Sequence, residues 1–522
     1  MQPILRGVMS ESEGTRSVWM TMPEAPLFAA LPDDAVTDVC IVGAGIAGLS
    51  AAYLSAREGL SVIVLDDGPI GGGETGRTTA HLSNAIDDRY VEIERLHGQE
   101  GARMVAESHT TAINRIEAIA REEHISCDYE RVDGYLILAP GDALSLLEQE
   151  LEAARRAGLM DVELLTRTPF AGFGDVPCLR FPTQGQFHPL KYVTGLAQAI
   201  TRMGGRIYTS THVTSVTGGA RAKIETQSGR IVEADAVVMA TNTPVNDLVA
   251  IHLKQAAYRT YVIGAQIPRG SVPKALYWDT QDPYHYIRLH SWDDRNDMLI
   301  IGGEDHKTGQ TDDIEDRHAR LARWAATYFS GIGAIEFEWS GQILESMDGL
   351  AFIGRNPMDA PNVYIATGDS GMGMTHGTIA GILVTDLIRG RTNPWAELYD
   401  PSRVRVRATP EFAQENANVV AQYADWVTGG DVDSVEKIPL NSGAVVREGL
   451  SKIAVYRDEH GAYHAHSAVC THLGCIVSWN STEQTWDCPC HGSRFDKQGK
   501  VVNGPAVSDL APATLKDHAT ST

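Results

Sequence analysis

Apolar positions change period twice within the first seventy residues. Asp38 to Val42 is a short β-branched run, Leu49 to Arg57 repeats its apolar residues at helical spacing and closes at Gly59, and Ser61 to Asp66 is again β-branched. A switch from extended to helical period and back predicts a β-turn-α-β unit. Ala234 to Met239, Met298 to Ile301 and Asn362 to Ala366 also read as strands. Tyr90 to Arg121, Ala143 to Ala157, Lys191 to Arg202 and Asp316 to Phe329 read as helices. Strands alternating with helices predict an α/β body with a largely parallel sheet. Residues 403–433 are polar to mixed and read as a linker, helical from Glu411 to Trp426. From Glu436 onward, short strands separated by Gly and Asn turns predict a small all-β domain.

The start, MQPILRGVMSESEGTRS, has no apolar core and turns acidic at Glu11 and Glu13, so residues 1–36 read as a surface arm and not as a signal peptide. No stretch reaches eighteen consecutive apolar residues, which predicts no membrane span and, by default, a cytoplasmic protein. At 522 residues the chain is too long for one hydrophobic core. A net charge of −23 disfavours nucleic acid as a partner.

Four of the seven cysteines crowd together, in Cys470-Thr-His472-Leu-Gly-Cys475 and Cys488-Pro-Cys490-His491-Gly-Ser493. Each half offers one Cys and one His, the set that gives one iron two thiolates and the other two imidazoles in a Rieske [2Fe–2S] centre. Zinc is the alternative, but its sites usually pair cysteines as Cys-x₂₋₄-Cys. Cys40, Cys127 and Cys178 are isolated and read as small buried residues. Residues 434–522 resemble the Rieske domains of respiratory and photosynthetic cytochrome complexes. That resemblance implies Cys470, His472, Cys488 and His491 as metal ligands, a Cys475–Cys490 disulfide, and Gly504-Pro505-Ala506 as the loop over the cluster. High-potential members carry a Tyr where this chain has Phe495, while Ser493 is kept. Fewer hydrogen bonds to the cluster sulfurs imply a lower potential.

Gly43-x-Gly45-x-x-Gly48 follows a strand and opens a helix, which suits close approach of a pyrophosphate to backbone N–H groups. Asp66 ends the second strand, placed to accept from a ribose hydroxyl. FAD is favoured over NAD by the loop Gly71 to His81, which includes Gly76, Arg77, Thr78 and Thr79. Val213 and the stretch Gly368, Gly371, Gly373, Met374 and Thr375 before a helix favour it too. Residues 37–402 resemble the D-amino-acid-oxidase-like flavoenzymes, the group of glycine and sarcosine oxidases. The resemblance implies an FAD-binding Rossmann-like domain with an interleaved α+β substrate part, at about 90–190 and 250–335. It also implies an amine or N-methyl amino acid as donor, with hydride transfer to flavin N5 and electrons passed singly to the cluster and on to an unidentified acceptor. An O₂-using oxidase with a structural or regulatory cluster, and a non-catalytic electron carrier, are the alternatives. A Rieske oxygenase would need a mononuclear iron on two His and one carboxylate, for which no motif appears. In Tyr286-x-Arg288 the strand alternation puts both side chains on one face, where Arg288 could pair a substrate carboxylate. Tyr286, Arg288 and His306 are the candidate catalytic residues, although His285 and His306 alike also fit ordinary polar residues. His81 lies near the position at which some relatives link flavin covalently, although non-covalent binding is expected.

Overall fold

The structure is a computed structural model describing residues 15–21, 26–244, 251–310, 317–357, 359–404, 409–426 and 428–515. The chain divides into two units: one of Met1–Arg16, Lys307–Asp313 and Glu415–Thr522, the other of Ser17–His306 and Ile314–Gln414. Residues 307–313, inside the expected flavin domain, thus group with the C-terminal domain.

The larger unit holds two sheets. In the first, β1 (Ala35–Val42) lies between β2 (Val62–Leu65) and the strand Ile231–Met239, all parallel, with Arg206–Tyr208 and Val363–Thr367 extending the parallel set outward. Every residue of β2 is buried, as expected of a strand covered on both faces. The second sheet has nine strands and is mostly antiparallel. It includes Gln255–Pro268, Tyr286–Ser291, Asn296–Lys307 and Ile335–Ser346. The architecture is the mixed α/β fold expected; the first sheet is parallel at its centre, and the second contains a parallel pair, Glu130–Ile137 with Leu276–Asp279.

Helix α1 (Ile46–Arg57) packs against the helix Gly373–Ile388 at the distance glycine allows. A Cβ at Gly377 would lie 2.7 Å from Ile46 Cγ2, and one at Gly381 2.7 Å from Ser50 Cβ. The predicted helix over 90–121 spans Arg89–Glu122 but breaks its helical dihedrals at Gly98, where φ is 74°. The surface-arm expectation fails at Ser17, Val18 and Trp19, which are buried within the larger unit, while Arg16 before them is exposed. Residues 1–14 lie outside the described residues.

The smaller unit carries the all-β domain in two sheets. One comprises Ser442–Glu448, Ser451–Arg457 and Tyr463–Ser467; the other Ser478–Asn480, Thr485–Asp487, Arg494–Asp496 and Val501–Asn503. The linker helix spans Thr409–Gln422 and runs into a 3-10 turn, Tyr423–Trp426. Among the described residues no helix is long and apolar enough to cross a membrane.

Candidate functional sites: a cluster cradle and a flavin cradle

The two cysteine–histidine motifs fold into loops with the same hydrogen-bond pattern. In the first, Cys470 N donates to Cys475 O at 2.8 Å and Gly474 N to Cys470 O at 3.0 Å. In the second, Cys488 N donates to Ser493 O at 2.8 Å and Gly492 N to Cys488 O at 3.0 Å. Gly474 and Gly492 both have positive φ, 81° and 77°, a conformation that favours glycine. Cys475 and Ser493 therefore occupy equivalent places. Cys475 is bonded to Cys490, tying one loop to the other. The Ser493 hydroxyl accepts from Ala506 N at 3.0 Å and hydrogen-bonds Cys470, whose thiol is lowered chiefly by its contact with Cys488. His472 and His491 face each other edge to face, ring centroids 5.0 Å apart. Two thiols in contact on one side and two imidazoles together on the other is the donor set of a Rieske cluster, so these residues fit the group. Phe495 is fully buried opposite Trp486, with no hydroxyl to offer.

Supports for both loops come from places the motifs do not reveal. Tyr423 OH donates to Leu473 O at 2.8 Å and Trp426 Nε1 to Gly474 O at 2.9 Å, so the end of the linker helix holds the first loop. Gln310 Nε2 donates to Pro489 O at 2.8 Å on the second. Arg494 and Asp487, which flank that loop, form a buried ion pair at 3.2 Å.

In the larger unit the glycine turn after β1 is shaped by its neighbours. A Cβ on Gly43 would meet Ala240 O at 2.4 Å, and one on Gly48 would meet Gly43 O at 1.9 Å. Only glycine fits, which leaves the N-terminal end of α1 open to a phosphate group. Asp66 lies beside this turn, accepting from Ala44 N at 2.5 Å and Gly68 N at 2.8 Å. Burial pushes its carboxyl up to about 7, against those two bonds. Val213 begins the strand Val213–Thr217 and is buried. Gly368 and Gly371 both have positive φ, and Gly373 starts the helix Gly373–Ile388 with Met374 and Thr375 buried in its first turn. Thr375 Oγ1 lies 2.9 Å from His109 Nδ1. The turn, the carboxylate and the second glycine-rich helix start make a cradle that fits FAD.

The loop Gly71 to His81 is pinned in an irregular path. Ile46 N donates to Thr75 Oγ1 at 3.0 Å, and Arg77 Nη1 to Ser340 O at 3.0 Å. Ala80 N donates to Thr78 Oγ1 at 3.0 Å. His81 lies between Thr79 Oγ1, 3.0 Å from Nδ1, and Ile287 O, 3.4 Å from Nε2. Burial, with Arg288 nearby, lowers it to about 3, so the imidazole is neutral, with Nε2–H donating and Nδ1 accepting.

Arg288 requires a correction. It is fully buried, and its Nη1 donates to Thr79 O at 3.0 Å, Ala80 O at 2.8 Å and Phe187 O at 3.1 Å. The guanidinium braces the loop Gly71 to His81 and is not presented to a substrate carboxylate. Tyr286 does share its face, its ring 5.9 Å from that of His81, and its OH lies 2.6 Å from Thr260 Oγ1. His285 turns the other way, to Asp279 at 2.9 Å and onto the Trp324 ring at 4.1 Å. His306 is half-buried with its ring 5.6 Å from Tyr261.

Acidic residues gather where the motifs predicted none. Asp88, Asp87, Asp369 and Asp305 all act to raise Glu345, and Asp88, Asp305 and Asp369 act to raise Asp87. A Cβ on Gly371 would stand 2.1 Å from Asp87 Oδ2, and Tyr284 OH donates to that carboxylate at 3.1 Å. Burial raises Asp87 and Asp305 to about 7 and Asp369 to about 6, and lifts Glu345 well above the usual carboxylate range. Asp87 is nevertheless solvent-exposed.

Comparison with known proteins agrees with this geometry. Residues 38–387 match the family model for FAD dependent oxidoreductases of the D-amino-acid-oxidase type, and residues 428–514 match that of the Rieske [2Fe-2S] domain. YhfW of Bacillus subtilis (strain 168), described as a Rieske 2Fe-2S iron-sulfur protein, is 31% identical over 505 residues, 96% of this chain and 98% of that one. Gamma-glutamylputrescine oxidoreductase of Escherichia coli (strain K12) is 29% identical over 377 residues, 70% of this chain and 86% of its own. Glycine oxidase from Geobacillus kaustophilus shares the fold, with a TM-score of 0.60 at 18% identity, covering 71% of this chain and 99% of its own. The chain belongs to the D-amino-acid-oxidase family of FAD-dependent oxidoreductases and carries a C-terminal Rieske domain, so that it binds both FAD and a [2Fe–2S] cluster.

Proposed function

We propose that the protein oxidises a small cationic amine, or an N-methyl amino acid, at its FAD and passes the electrons singly to its own Rieske cluster. The observation that carries the donor class is the group of acidic residues Asp87, Asp305, Glu345 and Asp369, with Tyr284 bonded to Asp87 and its ring 5.5 Å from that of Tyr286. An ammonium group entering there meets carboxylates to pair with and phenol faces that attract a cation. The E. coli relative named for gamma-glutamylputrescine, itself an amine, supports the same donor class.

Bound FAD supplies a hydride acceptor for the carbon next to the donor nitrogen. This chain's own residues prepare the donor. Asp87, raised to about 7 and held by Tyr284 OH, is matched to take a proton from the incoming ammonium and leave the nitrogen its lone pair. Tyr286, anchored through Thr260, and the neutral His81 wall the same side. A [2Fe–2S] cluster held by Cys470, His472, Cys488 and His491 would supply the acceptor for those electrons.

Anaerobic mixing with a series of primary and N-methylated amines tests this. Flavin bleaching followed by cluster reduction is the expected order. A cluster that stays oxidised while the flavin bleaches overturns the internal transfer, and bleaching by none of the amines overturns the donor class.

A further inference from the structure

The loop Gly76 to Ala80 shows an unusual density of bonds. Its five consecutive main-chain carbonyls each accept from a side chain elsewhere in the larger unit. Ser17 Oγ donates to Gly76 O at 2.5 Å, Trp339 Nε1 to Arg77 O at 2.7 Å, and Trp19 Nε1 to Thr78 O at 2.6 Å. Arg288 Nη1 serves both Thr79 O and Ala80 O. Irregular backbone that is buried must find partners outside regular ladders, and here two of five come from a segment preceding β1. Ala80 itself has a φ of 60°, a conformation its own side chain does not favour.

Trp19 is the hub. It is wholly buried on the 3-10 turn Val18–Thr21. The Arg288 guanidinium carbon lies 5.3 Å from the centre of its ring, and the rings of His188 and His290 meet it edge on at 4.9 and 5.3 Å. Met20 closes over Gly76, its Cε 3.3 Å from where a Cβ would be. The indole thus ties the Thr78 carbonyl to the same arginine that fixes the next two.

We infer that Ser17 to Met20 is a cofactor lock: it holds Gly76–Ala80 in the one conformation that receives FAD, with Trp19 and Ser17 as positioning residues that act through the loop. A loop fixed before the ligand arrives does not have to be ordered on binding. FAD retention therefore depends on a segment outside the nucleotide-binding motifs. The inference uses the FAD site and is independent of the donor.

The test uses the full chain stripped of flavin and titrated with FAD. Trp19→Phe keeps the ring bulk and deletes the donor to Thr78 O. It is expected to raise the FAD Kd about tenfold, the weight of one well-made bond to a buried carbonyl, and to alter the visible circular dichroism of the bound flavin. Ser17→Ala is expected to raise the Kd about threefold, on the order of a single hydroxyl bond. The EPR signal of the cluster should be unchanged in both. Two variants that bind FAD within twofold of wild type, with unaltered flavin dichroism, overturn the proposal even if their thermal midpoints fall. Should Trp19→Phe fail to fold, Ser17→Ala decides alone by the same Kd criterion.

Discussion

Asp487 and Arg494 stand on either side of the second cluster loop and close its base with an ion pair at 3.2 Å, both side chains out of solvent. Thr485 Oγ1 and Asn480 Nδ2 complete the carboxylate at 2.7 and 2.9 Å. Removing one partner of a buried pair strands the other charge and costs about 3–5 kcal/mol. Arg494→Met should therefore lower the unfolding midpoint of the Rieske domain and empty the cluster site. Cluster absorbance and EPR on the full chain check this. Retention of a full cluster would contradict it.

Phe495 offers a second handle on the cluster. Its ring is fully buried in a strand directly following Ser493. Phe495→Tyr adds a hydroxyl that either reaches a cluster sulfur or costs about 1–3 kcal/mol as an unanswered buried group. Reaching the sulfur favours the reduced cluster, so redox titration should show a rise in potential. A potential that stays put with a fallen thermal midpoint would mean the hydroxyl points elsewhere.

The Cys475–Cys490 bridge spans 15 residues and should contribute about 3 kcal/mol by restricting the unfolded chain. It leaves all four proposed cluster ligands untouched. Cys475→Ala with Cys490→Ala is expected to keep the cluster's spectrum while lowering its thermal loss temperature, read by visible absorbance on heating.

For the proposed donor site, Asp87→Asn removes a negative charge from the acidic group while keeping an acceptor for Tyr284. The expected result is a rise of about tenfold in KM for a cationic amine, from the loss of one charge-assisted contact, with FAD affinity unchanged. Steady-state kinetics with an artificial one-electron acceptor reads both. An unchanged KM would remove Asp87 from the binding site.

The same carboxylates make stability depend on pH. Asp87 and Asp305 sit at about 7 and Asp369 at about 6 in the folded chain, against about 3.9 for an unperturbed Asp. A carboxyl raised on folding stabilises fully below its unfolded value and progressively less as pH climbs to the folded one. The flavin-free protein should thus lose stability between about pH 4 and about pH 7, measured by denaturant midpoint. Asp305→Asn should flatten that slope.

The sequence carries the cofactor chemistry better than the donor chemistry, for a physical reason. The proposed cluster ligands and the glycine turn are local: Cys470 to Cys475 and Gly43 to Gly48 each make one loop, so spacing alone brings them forward. Asp87, Asp305, Glu345 and Asp369 come from four separate parts of the chain, and only the fold collects them. Arg288 shows the opposite failure. Strand alternation correctly put it beside Tyr286, but period two cannot tell a side chain that faces a ligand from one that faces a loop's carbonyls. Trp19 was invisible because an acidic, glycine-containing start reads as solvated whatever lies just after it.

The pinned loop at Gly76 to Ala80 also restricts how a substrate can arrive. Swinging it aside would break five side-chain bonds together, each worth about 0.5–1.5 kcal/mol, and would expose a buried tryptophan and arginine. Lids in enzymes are drawn from weakly held segments, and this one is the reverse. Whatever door admits the donor must be hung on another part of the molecule, with this wall as its fixed jamb.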